Sequence, residues 1–184
     1  MPVSSTTCEF GARAPDFLLA DTSGRLFRYA DIAGPRGSLV MFICNHCPYV
    51  QSIVDRIQRD AAALQKIGIG VVAISSNDVE TYPQDGPEKM RILAEHHGFT
   101  FPYLYDPTQE VARAYDAQCT PDFFGYNARS ELQYRGRLDS SGKKPAEPDV
   151  RRELFEAMAL IAQTGQGPRE QVPSMGCSIK WRSE

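Results

Sequence analysis

Apolar and polar residues alternate from Ala12 to Arg28 about Gly24, which predicts a β-hairpin. Leu39 to Ile43 is instead an unbroken apolar run after the break Gly34-Pro35-Arg36-Gly37, as expected of a central strand covered on both faces. Val50, Ile53, Val54, Ile57, Ala61 and Leu64 then recur at steps of three and four, predicting an amphipathic helix of about four turns that ends near Gly68. A second buried strand follows at Ile69 to Ser75. Strand, helix and strand together occupy the length that a right-handed parallel crossover needs.

Ser76 to Gly86 is rich in turn formers, and Pro87 suits the first position of a helix that runs through Glu95 and stops at Gly98. Asp106-Pro107 opens a further short helix carrying Val111, Ala114 and Tyr115. Phe123 to Tyr126 and Leu132 to Arg135 predict an antiparallel pair joined around Asn127 to Ser130. Pro148 begins a last helix with Leu154, Phe155, Met158 and Ile161 inward, and the breakers from Gln163 to Pro168 separate it from a tail through Trp181. The expected fold class is α/β, a central mixed β-sheet flanked by helices with an N-terminal β-hairpin extension. At 184 residues one domain is expected over 1–184, with its core at about 9–163 and the tail 164–184 packed on it.

Hydrophobic residues at 42% and charged residues at 23% lie in the ordinary globular range, which disfavours disorder and coiled coil. The net charge of −3, with Lys and Arg scattered, leaves no electrostatic footprint for nucleic acid or an anionic membrane as partner. No apolar run approaches the roughly 20 residues of a spanning helix. Met1 to Cys8 has neither a basic start nor an apolar stretch, so a cytoplasmic, reducing setting is expected. Five cysteines, at 8, 44, 47, 119 and 177, are an odd number widely spread. That argues against a disulfide-stapled secreted scaffold and toward selective thiol chemistry.

The chemistry concentrates in Phe42-Ile-Cys-Asn-His-Cys-Pro-Tyr-Val50, where two cysteines straddle the junction of a buried strand and an amphipathic helix. A helix start lowers a thiol pKa from about 8.5 because its free N–H groups favour the thiolate. His46 can add positive charge or a hydrogen bond. If Cys44 capped the helix, Pro48 would remove an N–H that bonds the cap carbonyl; with Cys47 as cap, Pro48 takes the first helical position, where proline belongs. Cys47 is therefore the expected nucleophile, and Cys44 the thiol that releases product. Two other roles compete: inert buried thiols, and a metal site drawing on Cys44, His46 and Cys47, which no second paired cluster completes.

Ala14-Pro-Asp-Phe17, Asp21-Thr-Ser-Gly24, the strand leading into Cys47, Cys119-Thr-Pro-Asp-Phe123 and Gly176-Cys-Ser-Ile-Lys-Trp181 resemble the thioredoxin-fold superfamily, in its peroxiredoxin-like (AhpC/TSA-like) branch. The resemblance implies that Pro121 is cis against the active thiol and that Thr120 presents backbone groups to substrate. It also implies a thiol-disulfide oxidoreductase acting on a protein or small-molecule disulfide with a cellular thiol as reductant, no cofactor and no resident metal. A peroxiredoxin-like thiol peroxidase is the alternative activity, and a redox-inert or metal-holding binding module the alternative class. Two departures count against the peroxidase: Cys44 and Val40 stand where peroxiredoxins carry Thr and Pro, and no arginine adjoins Thr120-Pro121. Val50 replaces the second cysteine of thioredoxins.

Pro48 and Tyr49 are further candidate substrate contacts. Cys177 is a candidate resolving thiol whose other reading is a structural cysteine in a packed tail. Cys119 reads as core, Cys8 as incidental in a loose terminus, and His96 and His97 as helix C-terminal charge. Asn77, Asp78 and Tyr82 lie on the loop after the second strand, where ligands or ordinary turn chemistry would both suit them.

Overall fold

The apolar run that begins at Leu39 becomes the middle of the structure. The computed structural model describes residues 1–184. In chain order its elements are β1 (Val3–Ser4), β2 (Leu18–Asp21), β3 (Leu26–Arg28), α1 (Tyr29–Ile32), β4 (Gly37–Phe42), α2 (Pro48–Gln51), α3 (Val54–Lys66) and β5 (Ile69–Ser75). There follow α4 (Pro87–His97), β6 (Tyr103–Tyr105), α5 (Glu110–Ala114), β7 (Cys119–Thr120), β8 (Asp122–Tyr126), β9 (Leu132–Tyr134), α6 (Glu153–Thr164) and β10 (Met175–Ser178).

A seven-stranded mixed sheet has the order β3-β2-β6-β5-β4-β8-β9. β4 pairs parallel with β5 and antiparallel with β8, and β5 pairs parallel with β6. Alternation along β4 divides the interior into two layers. Leu39, Met41 and Ile43 face α3, α4 and α6 through Ile57, Leu64, Met90, Leu154 and Met158. Val40 and Phe42 face the opposite layer, with Tyr29, Ile32, Ala112, Tyr115 and Phe124. All six residues of β4 are buried, which is why this strand reads as a continuous apolar run rather than an alternation. The predicted hairpin, β2 with β3, extends the sheet through β6, so the α/β expectation with an N-terminal β-hairpin extension matches. No helix is long and apolar enough to cross a membrane.

Several elements depart from the sequence pattern. The helix after Pro48 is broken at Ser52–Ile53, where Ile53 takes φ −125° and ψ 0°. Ser52 Oγ donates to the Pro48 carbonyl at 2.7 Å, a local bond of the kind that competes with helical continuation. The last helix starts at Glu153 rather than Pro148, because the chain first makes a turn closed by Val150 N–H to the Glu147 carbonyl. β6 has only three residues, too few for a periodicity signal to be read.

The chain ends differ most from the pattern. β1 pairs with β10, and β10 pairs with β7, forming a separate three-stranded sheet. The expected loose start is instead tied down: Ser5 N–H donates to the Ser174 carbonyl at 2.8 Å and Ser5 Oγ to Asp122 at 2.7 Å. Ile179, beyond β10, is buried in the layer that holds Val40 and Phe42.

Candidate active site

Cys47 is the residue before α2, with extended backbone angles φ −70° and ψ 121°, and Pro48 occupies the first helical position. Its carbonyl accepts the N–H groups of Val50 and Gln51 at 3.0 and 2.9 Å. The capping logic in the sequence therefore places the cysteine correctly. No N–H of α2 bonds the Cys47 side chain.

The peptide before Pro121 is cis. Thr120 meets both thiols: a protonated Cys47 Sγ donates to the Thr120 carbonyl at 3.2 Å, and Cys44 Sγ lies 3.5 Å from Thr120 Oγ1. Cys44 and Cys47 are 1% and 0% exposed, so neither sulfur meets bulk solvent. β10 contributes to that enclosure, with Cys177 directly opposite Thr120 in the ladder. A Cβ on Gly176 would sit 1.9 Å from the Thr120 carbonyl oxygen, so only glycine allows the two backbones this approach. Ser174 Oγ donates to the Pro121 carbonyl at 2.6 Å.

The three thiols have unequal acidities. The Cys47 pKa lies well below the ordinary thiol range, first through the hydrogen bond from the Cys44 thiol. Burial opposes that shift, while the Thr120 side chain and the N–H and thiol of Cys177 reinforce it. Cys44 is pushed up, first by holding the proton of that bond, then by burial and the Asp85 carboxylate. Cys177 is also raised, first by burial and then by its bond to Cys47. Ionisation of Cys47 thus exchanges its bond to the Thr120 carbonyl for donors arriving from the side.

His46, the expected catalytic neighbour of Cys47, has its Nδ1 bonded to Asp85 Oδ2 and its ring stacked on Tyr82, centroids 5.5 Å apart. Asp85 is fully buried and gathers the loop around itself. Asp85 Oδ1 accepts the N–H groups of Asn45 and His46 at 2.9 and 3.1 Å, and Oδ2 also accepts Asn77 Nδ2 at 2.9 Å. Asn77 Oδ1 in turn accepts Lys180 N–H at 2.9 Å, joining the loop to the tail. Sequence reasoning placed Asn77 at the site edge but missed Asp85, which stands among other turn formers with no local mark of burial.

Cys44 Sγ, a His46 ring nitrogen and an Asp85 oxygen lie within 4.8 Å of one another and could hold a metal. Asp85 also accepts the N–H groups of Asn45 and His46 and the Asn77 side-chain amide, so these residues support the loop as well. Pro48 is exposed, whereas Tyr49 is half-buried and carries Lys143 Nζ 5.0 Å from its ring centroid. Tyr49 also lines a cleft of about 180 Å³ with Ile53, Pro121, Phe123, Leu138 and Met175. Cys119 is buried, donates to the Pro121 carbonyl at 3.5 Å and has its pKa raised first by burial, so its chemistry is suppressed. Cys8 is likewise raised by burial, to about 11.

The arrangement has relatives. A crystal structure of an uncharacterised conserved protein from Geobacillus kaustophilus matches with a TM-score of 0.94 and 41% identity, covering 100% of this chain and 98% of that one. A Mycobacterium tuberculosis protein provisionally named as a peroxiredoxin is 27% identical over 133 residues, 72% of this chain and 80% of its own. The thiol-disulfide oxidoreductase ResA of Geobacillus thermodenitrificans is 29% identical over 119 residues, 65% of this chain and 64% of its own. The thioredoxin domain of a thiol-disulfide oxidoreductase from Bacteroides vulgatus, at a TM-score of 0.58 and 15% identity, and a protein from Chlorobium tepidum provisionally named as a thiol:disulfide interchange protein, at 0.61 and 21%, share the thioredoxin-like fold. The sequence profile of the AhpC/TSA family matches residues 10–138, and the chain belongs to that family.

Proposed function

We propose that the protein is a thiol-disulfide oxidoreductase whose nucleophile is the Cys47 thiolate. The observation that carries this reading is the placement of Cys47 at the head of α2 with its Sγ 3.2 Å from the Thr120 carbonyl and Cys44 Sγ 3.5 Å from Thr120 Oγ1; the lowered pKa of Cys47 and the raised pKa of Cys44 agree with it. A thiolate attacks a disulfide sulfur in line, forming one S–S bond while the other breaks and a thiolate leaves. Here Cys47 Sγ takes one substrate sulfur, and the displaced sulfur leaves with a proton. A neighbouring protein thiol then displaces the second product, and external thiols restore the reduced state. Cys44 and Cys177 both adjoin Cys47. Neither step calls for an organic cofactor, and a reducing cytoplasm would supply the thiols.

β10 covers Cys47, which favours small disulfides over folded proteins as substrate. The cleft bordered by Tyr49, Pro121 and Met175 is the entry route in this reading. His46 and Asp85 act as positioning residues that hold the loop. The test is turnover of hydroxyethyl disulfide, with Cys47→Ser expected to abolish it and Cys119→Ser to retain it. Equal activity in the two variants would sink the assignment.

The peroxidase reading draws on one specific observation, the complete burial of Cys47, because hydrogen peroxide reaches enclosed sulfurs that larger disulfides do not. It predicts that one equivalent of peroxide consumes the Cys47 thiol faster than the same concentration of hydroxyethyl disulfide.

A further inference from the structure

The substrate-facing edge of the Thr120 strand is already filled by the chain's own β10, and the residue at the paired position is a cysteine. This placement is built in rather than incidental. Gly176 lets β10 lie against the Thr120 carbonyl, β1 closes its other side, and Ser174 Oγ holds the Pro121 carbonyl. Beyond Cys177, buried Asn77 and Gln109 bind the backbone of Lys180 at 2.9 Å each. The tail is therefore anchored on both sides of the cysteine.

Exposure separates the two candidate partners of Cys47. A bond between Cys44 and Cys47 would join two sulfurs at 1% and 0% exposed, so an external thiol would have to enter by the same route as the substrate. Cys177 is only partly buried and packs against the same cluster. Cys44 also faces the buried Asp85 carboxylate, which opposes the ionisation that attack would require.

We propose that the oxidised protein carries a Cys47–Cys177 disulfide, and that external thiols exchange at Cys177. This rests on the reading of Cys47 as nucleophile. In the oxidising half, Cys177 Sγ attacks Cys47 Sγ of the mixed disulfide; the Cys47–Cys177 bond forms, the bond to the substrate sulfur breaks, and that sulfur leaves with the proton Cys177 gives up. In the reducing half, a low-molecular-weight thiol attacks Cys177 Sγ and the Cys47 thiolate leaves. A second such thiol attacks the attached thiol's sulfur, freeing Cys177 and yielding one external disulfide. Two electrons pass from two thiols to one substrate disulfide. Departure of Cys47 suits its low affinity for a proton, because the more acidic thiol leaves faster. Cys44 stays a thiol in this scheme, beside Thr120 Oγ1.

The experiment treats full-length protein with one equivalent of hydroxyethyl disulfide, then maps linkages by mass spectrometry without reduction. Wild type and Cys44→Ser are expected to show the peptide holding Cys47 joined to the peptide holding Cys177. Cys177→Ser, whose hydroxyl preserves a donor, is expected to stall with the hydroxyethylthio group on Cys47. Its recovery by mercaptoethanol is expected to be slower by about tenfold or more. A Cys44–Cys47 bond in wild type with Cys177 free to alkylate, or unaltered recovery in Cys177→Ser, overturns the proposal while leaving Cys47 as nucleophile. Consumption of the disulfide by Cys47→Ser at the wild-type rate overturns both.

Discussion

Replacing Cys44 with alanine removes the leading cause of Cys47 acidity and leaves the fold's other contacts to Cys47 in place. A hydrogen bond to a charged group is worth about 1.5–3 kcal/mol. Since one pKa unit corresponds to about 1.4 kcal/mol, the Cys47 pKa should rise by about 1–2 units in Cys44→Ala. Cys44→Ser keeps a hydroxyl donor and should move it less. The assay follows the ultraviolet absorbance of the thiolate, and the rate of reaction with iodoacetamide, against pH. Because Cys8 is pushed to about 11, and Cys44, Cys119 and Cys177 are raised too, Cys47 is the one thiol expected to ionise in the acidic-to-neutral range. His46→Gln provides the contrast, since that ring is turned to Asp85 and Tyr82, and its displacement of the titration should be smaller. Titration of Cys44→Ala at the wild-type position, or an equal shift in His46→Gln, would refute the lateral-donor account of the thiolate.

Gly176→Val should drive β10 off the Thr120 strand, because the added Cβ meets backbone oxygen at 1.9 Å; Cys47 should alkylate at least about tenfold faster and urea stability should fall by about 2 kcal/mol or more, and unchanged protection would contradict the covering role of β10. Asp85→Ala strips the loop of its shared acceptor and leaves buried donors unpaired, so a loss of about 3–5 kcal/mol is expected in denaturant unfolding; a loss under about 1 kcal/mol would remove Asp85 from the account. The depressed Cys47 pKa makes a contribution to stability that is complete above the unfolded thiol value of about 8.5 and fades as pH falls through the folded value. Between about pH 5 and 8, the stability advantage of wild type over Cys47→Ser should therefore widen as pH rises, and a flat difference would count against an ionised Cys47.

Local pattern carried much of this protein. The apolar run in β4, the steps of three and four in α3 and the Pro48 position were enough to place Cys47 at a strand-to-helix turn, because burial on both faces, helical periodicity and the missing N–H of proline all act within a few residues. The cis peptide at Pro121 was reached through resemblance, and the structure contains it. Short elements escaped, β6 and β10 among them, since strands of three or four residues owe their existence to partners far along the chain.

The sequence by itself determined the fold class, the burial of β4 on both faces, the apolar stripe of α3, and the cysteine that heads the helix. Tertiary structure decided what surrounds that sulfur. Asp85 binds His46, Thr120 meets both Cys44 and Cys47, and β10 sets Cys177 opposite Thr120. Residues 47, 85, 120 and 177 are distant in sequence, and thiol acidity depends on donors and charges within a few ångströms, whose identity only the folded chain specifies.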